Sequence, residues 1–262
     1  MDLSLQNKRA IVCGSTQGIG KAIAINLAKQ KANVTLIARN ENKLKNVINL
    51  LEKSSDQNHD FIVADFNNPN QLKKKINRYL SNGNKVEILI NNTGGPPAGK
   101  IIKAEQDEFD KYISMHLHCS HHLVKALVPH MKKSNFGRIV NIISISVKAP
   151  IENLGVSNTI RWAMASWSKT LSFELGKFGI TVNNILPGFT LTNRLKDLMQ
   201  ARSKIQNISI KKIQEEYKKN IPAERFAAPQ EVASATCFLC SEEASYINGI
   251  NLPIDGGYSA RL

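Results

Sequence analysis

The sequence predicts a single α/β domain built on a doubly wound parallel sheet, and three observations support this fold class. Short runs rich in β-branched residues alternate with amphipathic segments along the chain. The 262 residues suffice for one such domain, and no internal repeat or low-complexity linker divides them. Strands that alternate with helices form parallel sheets with both faces covered, because each crossover between parallel strands needs a helix.

Seven strands are predicted. The first two are RAIVC at 9–13 and NVTLIA at 33–38, with a helix from Gly18 between them and a second helix reaching to about Lys53. The other predicted strands are 60–64, 86–91, 137–143, 179–187 and 250–255. A polar, lysine-rich segment at 190–220 interrupts this rhythm, and its length is typical of a mobile lid over a substrate. We therefore expect one domain over 1–262 with a lid-like insertion at about 190–220.

Composition places the chain among ordinary globular proteins, with 42% hydrophobic and 21% charged residues. Its apolar runs are too short for a membrane span, and the start MDLSLQNKRA does not read as a secretory signal. We expect a cytoplasmic protein without a membrane partner.

The charge balance is strongly basic, with a net charge of +14 and a pI near 9.7. The lysines are scattered, however, and neither a block of five basic residues nor an aromatic-plus-basic RNA motif occurs. We expect no nucleic-acid partner, whereas an acidic small molecule or an acidic carrier protein would be attracted.

Cysteine and histidine patterns do not predict a metal site. The C-x-x-C at Cys237 and Cys240 lies in an apolar helical pattern without a second pair, so all four cysteines are interpreted as buried free thiols. His118 and His122 have a spacing that could hold a metal, but they are interpreted as packing residues of their helix.

The motif GSTQGIG directly follows the first strand and opens the next helix. Glycines there let the backbone approach a pyrophosphate, and the helix N-terminus offers free N–H groups and a positive dipole end. The motif therefore predicts a dinucleotide-binding loop, the alternative being a tight turn.

The spacing G-x-x-x-G-x-G resembles that of the short-chain dehydrogenase/reductase family. LINNTGG at 89–95, NNILPGFTLT at 183–192 and PIDGGY at 253–258 look like that family's N-N-A-G, P-G-x-x-x-T and D-G-G motifs, in the same order. The resemblance covers nearly the whole chain. Within the family, the sequence looks most similar to 3-oxoacyl-carrier-protein reductases. The resemblance implies a Rossmann fold, a nicotinamide cofactor and a homo-oligomer, a tetramer, that packs through the long helices at 108–134 and 156–176.

The resemblance also implies the cofactor-binding residues. Asn92, Thr93 and Gly94 would line the adenine-ribose side, Asp65 would lie near the adenine ring, and 187–192 would surround the nicotinamide. The full set is Gly14, Ser15, Thr16, Gln17, Gly18, Ile19, Gly20, Arg39, Asn40, Asp65, Phe66, Asn92, Thr93, Gly94, Arg161, Pro187, Gly188, Thr190 and Thr192.

The end of the second strand indicates which cofactor is preferred. A carboxylate there would bind the ribose 2′-hydroxyl of NAD, but LIARN offers Ala38 and Arg39 instead. A guanidinium suits the 2′-phosphate of NADP, so NADP(H) is expected over NAD(H). The alternative is that Arg39 only lies at the end of a helix and has no role in cofactor binding.

Catalysis in the family uses an Asn, a Ser, a Tyr and a Lys, and only the serine is found here, at Ser144. The Tyr-x-x-x-Lys position carries Ser157 and Arg161, and the Asn position carries His116. A shifted alignment does not restore the motif, because no Tyr occurs between 137 and 187 and the following SKTLSFEL fixes the register. The candidate catalytic set is therefore Ser144, Ser157, Arg161 and His116.

These replacements change the chemistry of the site. A serine hydroxyl is far too weak an acid to replace a tyrosine, whereas a guanidinium at Arg161 can still bind the nicotinamide ribose hydroxyls. The proton would come from His116, whose reference pKa is about 6.5, or from water relayed by Ser144 and Ser157. His116 could instead simply fill a polar pocket.

Two function classes remain open from the sequence. The first is an NADP(H)-dependent oxidoreductase with a non-standard site, acting on a 3-oxoacyl thioester or a related small ketone, or on the corresponding alcohol. The second is a catalytically impaired cofactor sensor or scaffold. Ser144 and the lid favour the enzyme. The GGPP loop at 94–97 is interpreted either as a substrate-proximal loop or as a stiff turn.

Overall fold

The computed structural model describes residues 2–54 and 56–261, and within them seven strands form one parallel sheet. The strands are β1 (Arg9–Cys13), β2 (Asn33–Ala38), β3 (Asp60–Val63), β4 (Ile88–Asn91), β5 (Gly137–Ile142), β6 (Ile180–Pro187) and β7 (Asn251–Ile254). Their order is β3-β2-β1-β4-β5-β6-β7, and all neighbours are parallel. The order reverses between β1 and β4, which is where doubly wound sheets bind ligands.

Helices cover both faces of this sheet. They are α1 (Gly18–Lys29), α2 (Glu41–Ile48), α3 (Pro69–Ser81), α4 (Gln106–Ile113), α5 (Cys119–Ser134), α6 (Gly155–Leu175), α7 (Asn193–Gln206), α8 (Ile210–Lys219) and α9 (Pro229–Cys240). Successive residues of β1 show the two-sided burial, since Ile11 packs with α3 and α5 while Val12 packs with α1 and α9. Both residues are fully buried. The predicted doubly wound fold is confirmed.

Two sets of predicted boundaries need correction. The second helix ends at Ile48 and not near Lys53, and several strands are one or two residues shorter than predicted. The segment interpreted as a lid contains two helices, α7 and α8, which the sequence analysis did not identify. These helices share a small apolar cluster that includes Leu195, Met199 and Ile213, and the sequence pattern hid it among lysines.

All four cysteines are buried and free, as the sequence predicted. Burial raises the pKa of each thiol, to about 12 for Cys119 and Cys240. No described helix combines the length and the apolar character that a bilayer crossing requires.

A row of asparagine side chains crosses the sheet from β4 to β7. Asn91 donates to Asn141 at 2.8 Å, Asn141 donates to Asn184 at 2.9 Å, and Asn184 donates to Asn251 at 2.8 Å. Asn141 also donates to the Ser168 hydroxyl on α6 at 3.2 Å. These bonds join the four strands that carry one side of the candidate site.

Candidate active site

The glycine motif forms a tight turn between β1 and α1. Gly14 and Gly18 have φ values of +58° and +54°, which glycine adopts without strain. A Cβ on Gly14 would lie 2.6 Å from the Asn92 carbonyl oxygen, and one on Gly20 would lie 2.3 Å from the Gly14 carbonyl oxygen. The Asn92 amide donates to the carbonyls of Cys13 and Gly14 at 3.2 Å each. The loop is thus held against the end of β4.

The N-terminus of α1 is suited to an anion. Gln17 precedes the helix without capping it through its side chain, and the first turn carries no acidic residue. The N–H groups and positive dipole end of this turn can therefore interact with a pyrophosphate. Thr192 closes one side, because its Cγ2 would lie 3.2 Å from a Cβ on Gly18. These features fit a dinucleotide.

Residues assigned to the adenosine half follow the neighbouring strands. Arg39 is exposed directly after β2, and Asn40 caps α2 by accepting from the Lys43 N–H at 2.9 Å. Asp65 follows β3 and accepts from the backbone and side-chain amides of Asn67 at 3.0 Å. Because β1, β2 and β3 are parallel neighbours, these residues lie at the same sheet edge as the glycine loop.

Ser144 and Ser157 lie at the carboxyl end of β5 and on the first turn of α6. The Ser144 hydroxyl accepts from the Ser146 N–H at 3.1 Å and so begins a short turn after β5. Trp162 on α6 donates to the Ser146 carbonyl at 2.9 Å, which fixes α6 against that turn. Ser157 and Arg161 are one helical turn apart and face the same side of α6.

Arg161 is a buried cation one helical turn after Ser157. Its side chain is 8% exposed, and its Nη1 donates to the Ile142 carbonyl at 3.2 Å. Its buried Nε has no hydrogen-bond partner among the described residues. Burial, and secondarily Arg194, lower the pKa of Arg161 to about 10, so it stays charged at neutral pH. A buried charged donor without a partner indicates a place for a polar ligand.

His116 lies in a single π-helical turn, Ser114–His118, between α4 and α5. Such turns occur frequently at functional sites. The ring is 3% exposed, and its Nδ1 lies 2.7 Å from the Thr93 hydroxyl. Burial, and then Arg161, lower the pKa of His116 well below its usual value, while the Gly94 backbone raises it. The imidazole is therefore close to Thr93 and Arg161 but neutral at pH 7.

Two further polar side chains lie at this site, and sequence reasoning missed both. Tyr112 on α4 precedes His116 by one turn, and their ring centroids are 6.4 Å apart. Arg194, in the first turn of α7, donates through Nη2 to the Pro96 carbonyl. The i,i+4 spacing from His116 could have indicated Tyr112. Nothing local indicated Arg194, because its contact spans 98 residues of sequence.

Comparison with known proteins decides the family. A family model described as Enoyl-(Acyl carrier protein) reductase matches residues 14–259. The chain belongs to the short-chain dehydrogenase/reductase family. As a member of this family it is an oxidoreductase, and the sequence resemblance is confirmed.

Relatives within the short-chain dehydrogenase/reductase family match over nearly their whole length. The NADPH-dependent reductase BacG of Bacillus subtilis is 30% identical, with 97% of this chain and 98% of BacG covered. The 3-oxoacyl-[acyl-carrier-protein] reductase FabG of Salmonella typhimurium is 33% identical, with the same coverage of 97% and 98%. The L-sorbose reductase of Gluconobacter frateurii, solved with NADPH and L-sorbose, superposes with a TM-score of 0.92 at 30% identity and covers both chains fully.

Proposed function

We propose that this protein is an NADP(H)-dependent reductase of a small ketone or a 3-oxoacyl thioester. BacG is named as NADPH-dependent, and the L-sorbose reductase structure contains NADPH, which supports the same cofactor here. Arg39 supports it independently, because a guanidinium at the end of β2 can pair with a 2′-phosphate, whereas the carboxylate that would bind the ribose 2′-hydroxyl of NAD is not found at this position.

Binding of the dinucleotide would use the loop and the strand ends already described. The glycine loop and the first turn of α1 would receive the pyrophosphate, Asp65 and Phe66 the adenine ring, and Pro187 to Thr192 the nicotinamide. The bound cofactor supplies a hydride, which goes to the carbonyl carbon while the carbonyl oxygen takes a proton.

The buried Arg161 is the observation that carries this proposal. A cation whose Nε lacks a partner, one turn from Ser157 and bonded to the end of β5, has free donors for the nicotinamide ribose hydroxyls. Ser144 and Ser157 supply hydroxyl groups that orient the carbonyl oxygen. Neither hydroxyl is acidic enough to donate the proton on its own.

The proton for the carbonyl oxygen would come from water and pass through His116, which takes up one proton as it releases another. Because its pKa is lowered well below the usual value, we propose a neutral imidazole that relays a proton with the Thr93 hydroxyl, 2.7 Å away. The sequence analysis named His116 as a proton donor, and we propose here that it relays the proton. The Tyr112 phenol, one turn away, is a second candidate for the proton donor, and a variant can distinguish Tyr112 from His116.

Steady NADPH consumption against a panel of ketones and 3-oxoacyl thioesters tests the proposal. We expect turnover with at least one class that ceases when NADPH is omitted. Tight NADPH binding without turnover on any member of the panel would contradict it, and would favour the cofactor sensor or scaffold. The same experiment with the alcohols and NADP reports the reverse direction.

We also propose a homo-oligomer, a tetramer, that packs through α6 and its neighbours. Trp162 and Phe173 on α6 are 49% and 91% exposed. Eleven residues are close to three full helical turns, so both rings lie on one face of α6. Large apolar side chains exposed on one helix face are typical of a protein interface.

A further inference from the structure

Two guanidinium groups lie next to each other at the candidate active site. A Cβ placed on Gly95 would lie 3.4 Å from Nη2 of Arg161 and 3.8 Å from Nη2 of Arg194. The two Nη2 atoms therefore border the same space, which is the position that a side chain on Gly95 would occupy. Arg161 comes from α6 and Arg194 from α7, so the fold brings them together from distant parts of the sequence.

This arrangement is electrostatically unfavourable without a ligand. Arg194 lowers the pKa of Arg161, as expected for neighbouring cations. Neither guanidinium forms an ion pair with a described carboxylate, although Asp197 and Tyr112 act on Arg194 from farther away. Arg161 is buried whereas Arg194 is exposed, so the desolvation cost of an unpaired cation falls on Arg161, and an anionic ligand would offset it.

Donors and free space coincide beside Gly95, where any other residue would place a side chain. Nη2 of Arg161 borders this space, while its partner-free Nε stays available for the ribose hydroxyls of the cofactor. Nη2 of Arg194 donates one hydrogen to the Pro96 carbonyl and has a second hydrogen for a ligand. A guanidinium presents its N–H groups in a planar fork that matches a carboxylate. Ser157 is one turn from Arg161 on the same face of α6, so the proposed carbonyl-orienting hydroxyl and the cation belong to the same helix face.

We propose that Arg161 and Arg194 bind a carboxylate of the substrate beside Gly95, so that the ketone substrate of the enzyme is an oxo acid. The inference rests on the proposed reductase function and narrows its substrate class. The carboxylate stays unchanged in the reaction and fixes the distance between the anion and the carbonyl that Ser144 and Ser157 orient. A phosphate of the cofactor is the competing anion, and the test separates the two.

The test compares 2-oxopentanoate, 3-oxopentanoate and 4-oxopentanoate with their methyl esters as substrates for NADPH oxidation. We expect at least one acid to be reduced with a kcat/KM roughly tenfold or more above that of its ester. Arg194→Gln should raise the KM for that acid by roughly tenfold, with kcat and the KM for the ester near their original values.

Two further variants keep the result interpretable. Gly95→Ala should reproduce the loss for the acid without changing any charge, because its Cβ occupies the proposed carboxylate position at ordinary contact distance. Lys196→Gln removes an exposed charge from the same helix and should leave the preference for the acid intact. If Arg194→Gln still prefers the acid over its ester, the inference about the carboxylate is overturned, whereas the proposed reductase function is not affected.

A binding measurement separates failure of the inference from failure of the reductase. If no compound is turned over, calorimetric titration with glutarate still tests the site. If Arg194→Gln weakens glutarate binding at least tenfold, the anion site is supported even without the proposed activity. If glutarate binds equally well to Arg194→Gln, or does not bind to the parent protein, the inference is overturned. An Arg194→Gln variant that loses NADPH affinity and keeps acid affinity would assign the anion to the cofactor, which also overturns it.

Discussion

Asn141 on β5 donates its side-chain amide to the Asn184 side chain on β6, and both residues are buried at matching positions of the sheet. Asn141 also accepts a hydrogen bond from Asn91 and donates one to Ser168, so its side-chain amide bonds to three neighbouring side chains. Polar side chains inside a parallel sheet are tolerated only when they are bonded in this way. The row therefore helps to set the relative positions of β4, β5 and β6, whose ends carry Thr93, Ser144 and Pro187.

We expect Asn141→Ala to lower the free energy of unfolding by roughly 2 to 5 kcal/mol, because it leaves three buried polar groups without a partner. Chemical denaturation followed by circular dichroism measures the change. Asn46→Ala, on the exposed face of α2, is the matched control and should change stability by less than about 0.5 kcal/mol. Similar losses in the two variants would show that the row does not stabilise the sheet.

We expect Arg39→Asp to weaken NADPH binding much more than NADH binding, by at least about tenfold, or about 1.4 kcal/mol. The variant replaces a phosphate partner with a like charge. Fluorescence titration of both cofactors checks the prediction. Lys43→Asp makes the same charge change on the exposed surface of α2 and should not separate the cofactors. Equal losses for NADPH and NADH in Arg39→Asp would remove the basis for the NADP assignment.

Among the candidate catalytic residues, we expect His116→Ala to lower kcat most, by roughly 10²- to 10⁴-fold, because it interrupts the proton relay. Ser157→Ala removes one neutral hydrogen bond, worth about 1 kcal/mol, and should cost only about fivefold. Single-turnover NADPH oxidation measures the chemical step in both.

Tyr112→Phe identifies the proton source in the same assay. A relay through His116 and Thr93 predicts nearly unchanged turnover in Tyr112→Phe. If that variant loses as much as His116→Ala, the phenol is part of the proton path. Turnover that survives in His116→Ala excludes the imidazole from it.

Restoring the family pair with Ser157→Tyr and Arg161→Lys should raise or create reductase activity at neutral pH, because a tyrosine beside a cation can donate a proton where a serine cannot. The measurement is the pH profile of kcat/KM, in which the restored enzyme should gain a titration that the parent lacks. An inert double variant, tested on substrates that the parent reduces, would contradict the geometry inferred for this pair.

Light scattering at micromolar concentration should give a mass several times that of the 29.1 kDa chain. Phe173→Glu should reduce that mass, because it introduces a charge into the expected interface on α6. Ile205 is 82% exposed on α7, and Ile205→Glu is the control that should leave the mass unchanged. A monomer in the parent protein would contradict the prediction.

The sequence was sufficient for the fold and for the tight glycine turn, because both depend on local patterns. Gly14, Gly18 and Gly20 follow a buried strand within a few residues, and positive φ values or blocked Cβ positions explain glycine at all three. Dinucleotide binding by this turn stays a prediction. The order of motifs also led to His116, Ser157 and Arg161, whose roles in catalysis stay predictions.

The rest of the site depends on contacts between distant segments. Arg194 and Pro96 are far apart in sequence, and no periodicity relates them. The charge state of His116 could not be predicted either, because it depends on burial by the π turn and on the approach of Arg161. The helical character of the lid was obscured by its lysines, which surround the few apolar residues that α7 and α8 share.

Thr192 begins α7, and its methyl group lies against Gly18 at the entrance to α1. One contact thus joins α7 to the glycine loop that is proposed to bind the dinucleotide. A dinucleotide bound there would lie between the loop and the start of α7, so we expect it to bind before the other substrate and to leave after the product. Product-inhibition kinetics measure this order, and random binding would contradict it.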